Sequence, residues 1–214
     1  MMAATEARPP RLRMLHLASA CLIGLFLLLH LGNHIAGLTG QEAHMRVMGA
    51  LRSIYRHPLV EYPLLALIAW QVGSGLTMLV RGWRGRSGVV AWTQALSGAY
   101  LAFFLLNHVG AVLGARYFLG LDTDFRFAAA GFHVPWWPLF FAPYYFLAVL
   151  ALFLHLGCAA YWNLPGQGRA RRIALPVMGL AGAALGLAFV LMLAGALYPV
   201  DVPDAYRATY GVGG

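Results

Sequence analysis

The chain alternates long apolar stretches with short polar ones, and this pattern predicts membrane-spanning helices. Five apolar stretches are each long enough to cross about 30 Å of hydrocarbon. The predicted spans are residues 14–38, 60–80, 89–118, 139–162 and 173–198. Backbone groups in lipid must be hydrogen-bonded within their own segment. We therefore expect an all-α integral membrane bundle of five transmembrane helices.

The first and third spans repeat one pattern of polar positions. HLASACLIGLFLLLHLGNHIAG, residues 16–37, aligns with QALSGAYLAFFLLNHVGAVLGA, residues 94–115. The alignment sets Ser19 on Ser97 and His30 on His108, 78 residues further along. It also sets His16 on a glutamine, Gln94.

The second and fourth spans extend the repeat. They align when Gln71 is set on His155 and Gly73 on Gly157. The first four helices are thus predicted to form two pseudo-repeated hairpins. The fifth span has no histidine, charge or amide, and its GLAGAALG run, residues 179–186, suits close helix packing or a subunit contact.

The repeated histidines His30 and His108 are candidate haem ligands. A histidine at membrane depth is costly and indicates a functional site. Both helices run outward, so the two imidazoles are expected at nearly one level in the outer half. Two neutral imidazoles from facing helices are the arrangement that binds a six-coordinate haem b; hydrogen bonding between helices is the alternative. Small residues leave room for a macrocycle beside them: Gly32, Gly37, Gly110, Ala111 and Gly114.

Other polar residues are assigned around this outer site. His34, one turn beyond His30, is the alternative ligand. Arg46 and Arg116 lie further outward, where a guanidinium can meet a haem propionate. Glu61, at the outer mouth of the second span, is a candidate proton relay. Three histidines are expected to be solvated in outer loops: His44, His57 and His133.

The inner half offers His155, opposite which the repeat sets Gln71, a poor haem ligand. Three interpretations stay open: a quinone pocket, a haem bound by His155 alone or with another ligand such as Met78, and a structural hydrogen bond between His155 and Gln71. A count of one haem or two is therefore open. His16 and Ser19, near the inner end of the first span, either bind a quinone headgroup or anchor the helix at the interface.

Composition supports the membrane class, and charge gives the orientation. The residues are 61% hydrophobic and 10% charged, and the net charge is +8. All basic residues are arginines: nine lie on one predicted side with a single acid, Glu6, and six on the other with the remaining six acids. The positive-inside rule then gives a cytoplasmic N-terminal segment (residues 1–13), the transmembrane domain (14–198) and an extracytoplasmic tail (199–214). Nucleic-acid binding is not indicated.

The first span and the two cysteines exclude some classes of membrane and secreted protein. The first span is too long and uninterrupted for a cleaved signal peptide. Cys21 and Cys158 lie inside spans without CxxC or CxxCH spacing, so neither a disulfide nor covalently attached haem is indicated.

Three segments resemble a known family: SGAYLAFFLLNHV (97–109), WPLFFAPYYFLAVLALFLHLG (137–157) and GLFLLLHL (24–31). They resemble the five-helix cytochrome b membrane subunit of succinate dehydrogenase and fumarate reductase. The resemblance implies a distal haem at His30 and His108 and a proximal haem at Gln71 and His155. It also implies cytoplasmic flavoprotein and iron–sulfur partners, exchange with menaquinone or ubiquinone, a bacterial cytoplasmic membrane, and a complex that can form a homo-oligomer. Gln71 departs from the family pattern.

The sequence is also compatible with other functions. One is a b-type cytochrome of another quinone-linked oxidoreductase, such as a hydrogenase or formate dehydrogenase. Another is a haem-free anchor or transporter, although no span has the broken-helix pair typical of a midplane substrate site. A five-coordinate haem on His155 would instead suit a gas sensor or a reductase. The chain has no flavin fingerprint and no iron–sulfur cysteine cluster, so a partner would have to oxidise the substrate.

Overall fold

A computed structural model describes residues 11–165 and 168–211. Five of its helices are long and apolar enough to span a membrane, which confirms the predicted helical membrane bundle. They are α1 (Arg11–Gly37), α3 (Pro58–Arg81), α4 (Val89–Phe118), α6 (Pro138–Asn163) and α7 (Arg169–Leu193). The remaining helices are α2 (Gln41–Tyr55), α5 (Phe125–Ala130) and α8 (Asp204–Arg207). Residues 1–10 of the predicted N-terminal segment, including Glu6 and Arg8, and residues 212–214 of the tail lie outside the described residues.

The helices run alternately up and down, so the bundle has two distinct ends. The basic end contains the start of α1, the α3–α4 loop and the start of α7, with Arg11, Arg84 and Arg169. At the opposite end, here called the capped end, α2, α5 and α8 cover the bundle. Neighbouring spans pack in the order α1, α3, α4, α6, and α7 packs along α6.

The connection after α1 differs from the loop expected there, because it contains the fifteen-residue helix α2. Its buried side carries His44 and Met48, and Arg52 of the same helix donates to Asp122 at 2.7 Å. Arg56 also pairs with Asp122, at 3.4 Å. These bonds tie α2 to the loop that follows α4.

The fifth spanning helix ends earlier than expected. It stops at Leu193, five residues before the predicted end at Tyr198. Gly195 adopts φ 77°, and the backbone N–H groups of Gly195 and Ala196 donate to Met192 and Leu191. This is a Schellman motif, in which a left-handed glycine closes the helix. Tyr198 then donates its hydroxyl to the carbonyl of Gly37 at the end of α1.

The best-buried hydrophobic cluster lies at the capped end. It joins α5, the end of α7 and α8, with Phe125, Met192 and Tyr206 among its members. Asp124 begins α5 by accepting from the backbone N–H groups of Arg126 and Phe127 at 2.8 and 3.2 Å. A packed, hydrogen-bonded cap therefore covers the half of the bundle that holds His30 and His108.

Candidate functional site

The structure brings His30 and His108 together across the bundle. Their ring centroids are 6.1 Å apart, and their planes are 69° from each other. Metal–imidazole bonds of about 2.0–2.1 Å on each side, with the depth of each ring added, would separate the centroids by roughly 6 Å. The spacing of the two rings therefore suits one metal ion bound between them.

Each of these histidines stacks on a phenylalanine one helical turn before it. The Phe26 and His30 rings lie 5.5 Å apart at 22°, and the Phe104 and His108 rings lie 5.2 Å apart at 13°. Phe26 and Phe104 occupy equivalent positions in the repeat. The stacking limits how far each imidazole can rotate, so both halves of the repeat orient their histidine in the same way.

The imidazoles of the pair have free nitrogen atoms, but the glycines do not show space between the two rings. A Cβ added at Gly32, Gly110 or Gly114 would meet no atom within 4 Å. Gly32 and Gly110 are exposed and lie about 200° round their helices from His30 and His108, so the space at these two residues is on the outer surface of the bundle. Gly37 differs from this expectation, because its added Cβ would lie 2.9 Å from the Met192 sulfur. Within residues 11–165 and 168–211, neither His30 nor His108 has a hydrogen-bond partner. A bound ligand would satisfy the hydrogen-bonding or metal-binding capacity of these two unpartnered imidazoles.

His34 and His44 extend the histidine series toward the cap. The ring centroid of His34 lies 4.8 Å from the ring centroid of His30 and 5.1 Å from that of His44. The expectation that His44 is solvated is wrong, because α2 turns it inward and only 3% of it is exposed. Burial, and then the charge of Arg52, lower the pKa of His44 to about 4. His44 is therefore a neutral, buried imidazole.

Asn33 and His44 form a buried polar pair next to His34. Asn33 Nδ2 and His44 Nε2 are hydrogen-bonded at 3.0 Å. Asn33 Oδ1 and His44 Nδ1 are buried and have no partner among the described residues. Buried polar atoms of this kind are rare in native proteins. They add unused hydrogen-bonding capacity beside the capped-end histidines.

The other loop histidines behave differently from each other. His57 is exposed and begins α3, where its side chain accepts from the N–H of Leu59 at 3.4 Å. His133 is not solvated as expected, since it is partly buried and its Nε2 donates to the carbonyl of Leu193 at 3.0 Å. Both roles are structural.

The charged candidates of the capped end fall into two groups. Arg116 and Glu61 pair with each other, and their side chains are only 19% and 15% exposed. Arg116 lies about 12 Å along α4 from His108, at 1.5 Å per residue. Arg46 pairs with Glu42 at 3.6 Å and is 72% exposed, so it lies away from the buried side of α2 and from the histidines. Only Arg116 remains positioned near the bundle interior.

The basic-end cluster consists of His16, Ser19, Gln71 and Ser74 on α1 and α3. His16 Nδ1 donates to Ser74 Oγ at 2.8 Å, and Gln71 Nε2 donates to His16 Nε2 at 3.0 Å. Ser19 Oγ donates to Gln71 Oε1 at 2.5 Å. Gln71 is therefore engaged by α1, and it makes no hydrogen bond to His155. The interpretation as a structural bond between those two residues is wrong.

His155 is held by α4 instead. Its Nδ1 lies 3.2 Å from the backbone carbonyl of Gln94 and 3.2 Å from Ser97 Oγ. The Gln94 side chain is engaged separately, because its Oε1 accepts from Trp162 Nε1 at 2.9 Å. An apolar groove of about 290 Å³ between α4 and α6 reaches Ser97.

The pairing of His16 with Gln71 was not predicted from the sequence. The signal was present in the repeat, which sets His16 on Gln94 and Gln71 on His155. Each half thus has one histidine and one glutamine, on opposite helices. Among the described residues no group of three or more His, Cys, Asp or Glu side chains forms a metal site, and Cys21 and Cys158 are both free.

The comparisons with known proteins do not assign the chain to a family. No protein-family model matches it, and neither a curated protein nor a solved structure matches it.

Proposed function

We propose that this chain is a haem b electron-transfer and membrane-anchor subunit, in which His30 and His108 would hold the haem iron. The observation that carries the proposal is the 6.1 Å separation of two rings that come from equivalent repeat positions. The proposal is supported by the unpartnered nitrogens of the two imidazoles and by the matching Phe26 and Phe104 that stack on them. Bound haem would supply one-electron transfer between ferric and ferrous iron.

The chain's own residues would orient and shield this group. Phe26 and Phe104 would hold the two imidazole planes, and the cap formed by α2, α5 and α8 would limit access of water from that end. Arg116 is already paired with Glu61, so it would bind a haem propionate only if its guanidinium contacted both carboxylates. His34 would provide a polar neighbour rather than a ligand.

The proposal extends to the complex in which the chain acts. Resemblance to the cytochrome b subunits of succinate dehydrogenase and fumarate reductase supports a cytoplasmic flavoprotein and iron–sulfur partner, with menaquinone or ubiquinone as the membrane partner. The arginine-rich end supports a cytoplasmic N-terminus in a bacterial cytoplasmic membrane by the positive-inside rule. Affinity purification of the tagged chain from its native membrane should recover flavin-containing subunits.

Haem binding is tested on the purified protein by a reduced-minus-oxidised spectrum and a haem-to-protein ratio. The wild type is expected to contain haem, and His30→Ala and His108→Ala should each reduce its content to background. His34→Ala should retain it, and His57→Ala is the matched control at an exposed histidine. A haem-free wild type would overturn the proposal. Loss in His34→Ala with retention in His30→Ala would transfer the ligand role to His34.

A further inference from the structure

A groove of about 590 Å³ lies at the basic end, where α3 ends and the loop to α4 begins. We call it the arginine groove, and the residues that line it are Leu79, Val80, Arg81, Trp83 and Arg84. Its apolar wall belongs to the end of a membrane span, and Val80 in that wall is 73% exposed and faces away from the bundle. The groove therefore joins the hydrocarbon-facing surface of α3 to a cationic surface.

The two arginines of this groove have no counterion in the described part of the chain. Arg81 and Arg84 are exposed, and within residues 11–165 and 168–211 neither has a hydrogen bond or an ion pair. The ion pairs of the described residues all lie at the capped end. So do the described carboxylates, which are Glu42, Glu61, Asp122, Asp124, Asp201 and Asp204. The charge of the arginine groove is therefore complementary to an anion from outside the chain.

The loop that forms one side of the groove is held in shape by Arg86. The guanidinium carbon of Arg86 lies 5.9 and 5.6 Å from the ring centroids of Trp83 and Trp92, and these two rings meet edge-on at 5.1 Å. A Cβ added at Gly82, where the loop begins, would lie only 3.2 Å from Arg86 Nη2. Because the loop is already packed, an occupant of the groove would not have to order it on binding.

The chemistry of the groove selects an amphipathic anion. The last carbonyl groups of α3 carry partial negative charge, so the helix end itself does not attract an anion. The guanidinium groups of Arg81 and Arg84 would have to hold it, and a guanidinium binds phosphate through two parallel N–H donors. The adjoining apolar wall, with Leu79 and Val80, suits hydrocarbon chains attached to that phosphate.

We propose that the arginine groove binds an anionic phospholipid, with Arg81 and Arg84 on its phosphate and Leu79 and Val80 against its acyl chains. A zwitterionic lipid carries a cation beside its phosphate, and these arginines would repel that cation. The negative surface potential of the cytoplasmic leaflet comes from anionic lipids, and the proposed orientation brings the groove to that leaflet. The inference goes beyond the proposed function, because it requires neither haem nor a partner protein.

Native mass spectrometry tests the inference on the purified full chain, titrated with phosphatidylglycerol or with phosphatidylcholine of the same acyl chains. The wild type should bind phosphatidylglycerol more tightly. Replacing both groove arginines, Arg81→Gln with Arg84→Gln, should weaken phosphatidylglycerol binding about thirtyfold, the change expected for two arginines at an anionic lipid surface. Arg11→Gln with Arg13→Gln is the matched control, because it removes two exposed arginines at the same end that do not line the groove.

Four results would overturn the inference. Equal affinity of the wild type for the two lipids would remove the selectivity for an anionic headgroup. Equal weakening in the Arg11 and Arg13 control would mean diffuse surface charge rather than a site. Displacement of the lipid by an equal concentration of inorganic phosphate would make the groove a site for a soluble phosphate. Unchanged affinity without Arg81 and Arg84 would leave these arginines to another occupant, such as an acidic protein surface.

The haem content of the sample does not enter this readout. A haem-free wild type that binds phosphatidylglycerol selectively, and loses this binding without Arg81 and Arg84, would reject the haem proposal and support the lipid site. A haem-loaded wild type without this selectivity would do the reverse.

Discussion

His44 shows how one buried side chain can make the stability of this protein depend on pH. Its ring faces His34 and Phe125, its Nε2 is bonded to Asn33, and the guanidinium of Arg52 is the nearby charge. Protonation would leave a cation in a closed environment that already contains an arginine. The folded protein therefore keeps this imidazole neutral at pH values where an unfolded chain would protonate it.

We predict that the free energy of unfolding falls as the pH drops from about 6.5 to about 4. In this window the unfolded chain binds a proton that folded His44 refuses, because burial lowers its pKa from 6.5 to about 4. The contribution is at most about 3 kcal/mol. Thermal unfolding in detergent as a function of pH measures it. His44→Gln should flatten this part of the profile, and His57→Gln, at an exposed site, should not; equal slopes in wild type and His44→Gln would contradict the prediction.

The sequence identified the polar residues of the candidate sites and their positions in the repeat, but it did not predict which of them contact each other across the helices. Alignment paired His30 with His108, and the structure brings these two rings together. The same alignment set Gln71 on His155, yet Gln71 bonds His16. Repeat position gives depth and approximate face, whereas the choice of partner depends on which helices adjoin. That information lies in packing between distant segments.

At the scale of elements, apolar spans were predictable and shorter amphipathic elements were not. Five long apolar stretches have an unambiguous membrane signature. Helix α2 has apolar residues on one side only, so over its whole length it resembles a polar loop. That missed helix is why His44 was expected in solvent. The early end of α7 depends on a single left-handed glycine, Gly195, inside an otherwise apolar run.

The small residues in the segment 179–186 of α7 allow this helix to pack closely against α6, so they form a contact within the chain. We predict that Gly182→Ala destabilises the protein by about 1–3 kcal/mol, as overpacking typically does. The added Cβ would lie 2.6 Å from Phe153 Cβ and 3.3 Å from Leu150 Cα. Gly73→Ala is the control, because its Cβ would meet nothing within 4 Å and alanine favours a helix by up to about 1 kcal/mol. Thermal unfolding in detergent compares them; equal midpoints would mean that α6 and α7 separate easily.

For the whole molecule, the two ends differ in charge and in construction. The capped end balances its arginines with acids, as in the pairs of Arg52 with Asp122 and Arg116 with Glu61. At the basic end, Arg86 lies over the rings of Trp83 and Trp92, 5.9 and 5.6 Å from their centroids. An excess of arginine is typical of the cytoplasmic side, whereas tryptophan is typical of both membrane interfaces. This asymmetry, rather than the helix order, predicts the orientation.

Cysteine accessibility tests that orientation with two exposed serines at opposite ends. Ser53 lies on α2 at the capped end, and Ser87 lies in the α3–α4 loop at the basic end. In a background with Cys21→Ala and Cys158→Ala, a membrane-impermeant maleimide should label Ser53→Cys in intact cells. Ser87→Cys should be labelled only after the membrane is permeabilised, because the positive-inside rule puts that loop in the cytoplasm. The unsubstituted background is the control for non-specific labelling. The reverse pattern would put the capped-end histidines on the cytoplasmic side. Under the proposed function, a cytoplasmic electron donor would then approach His30 and His108 through the cap rather than through the basic-end cluster.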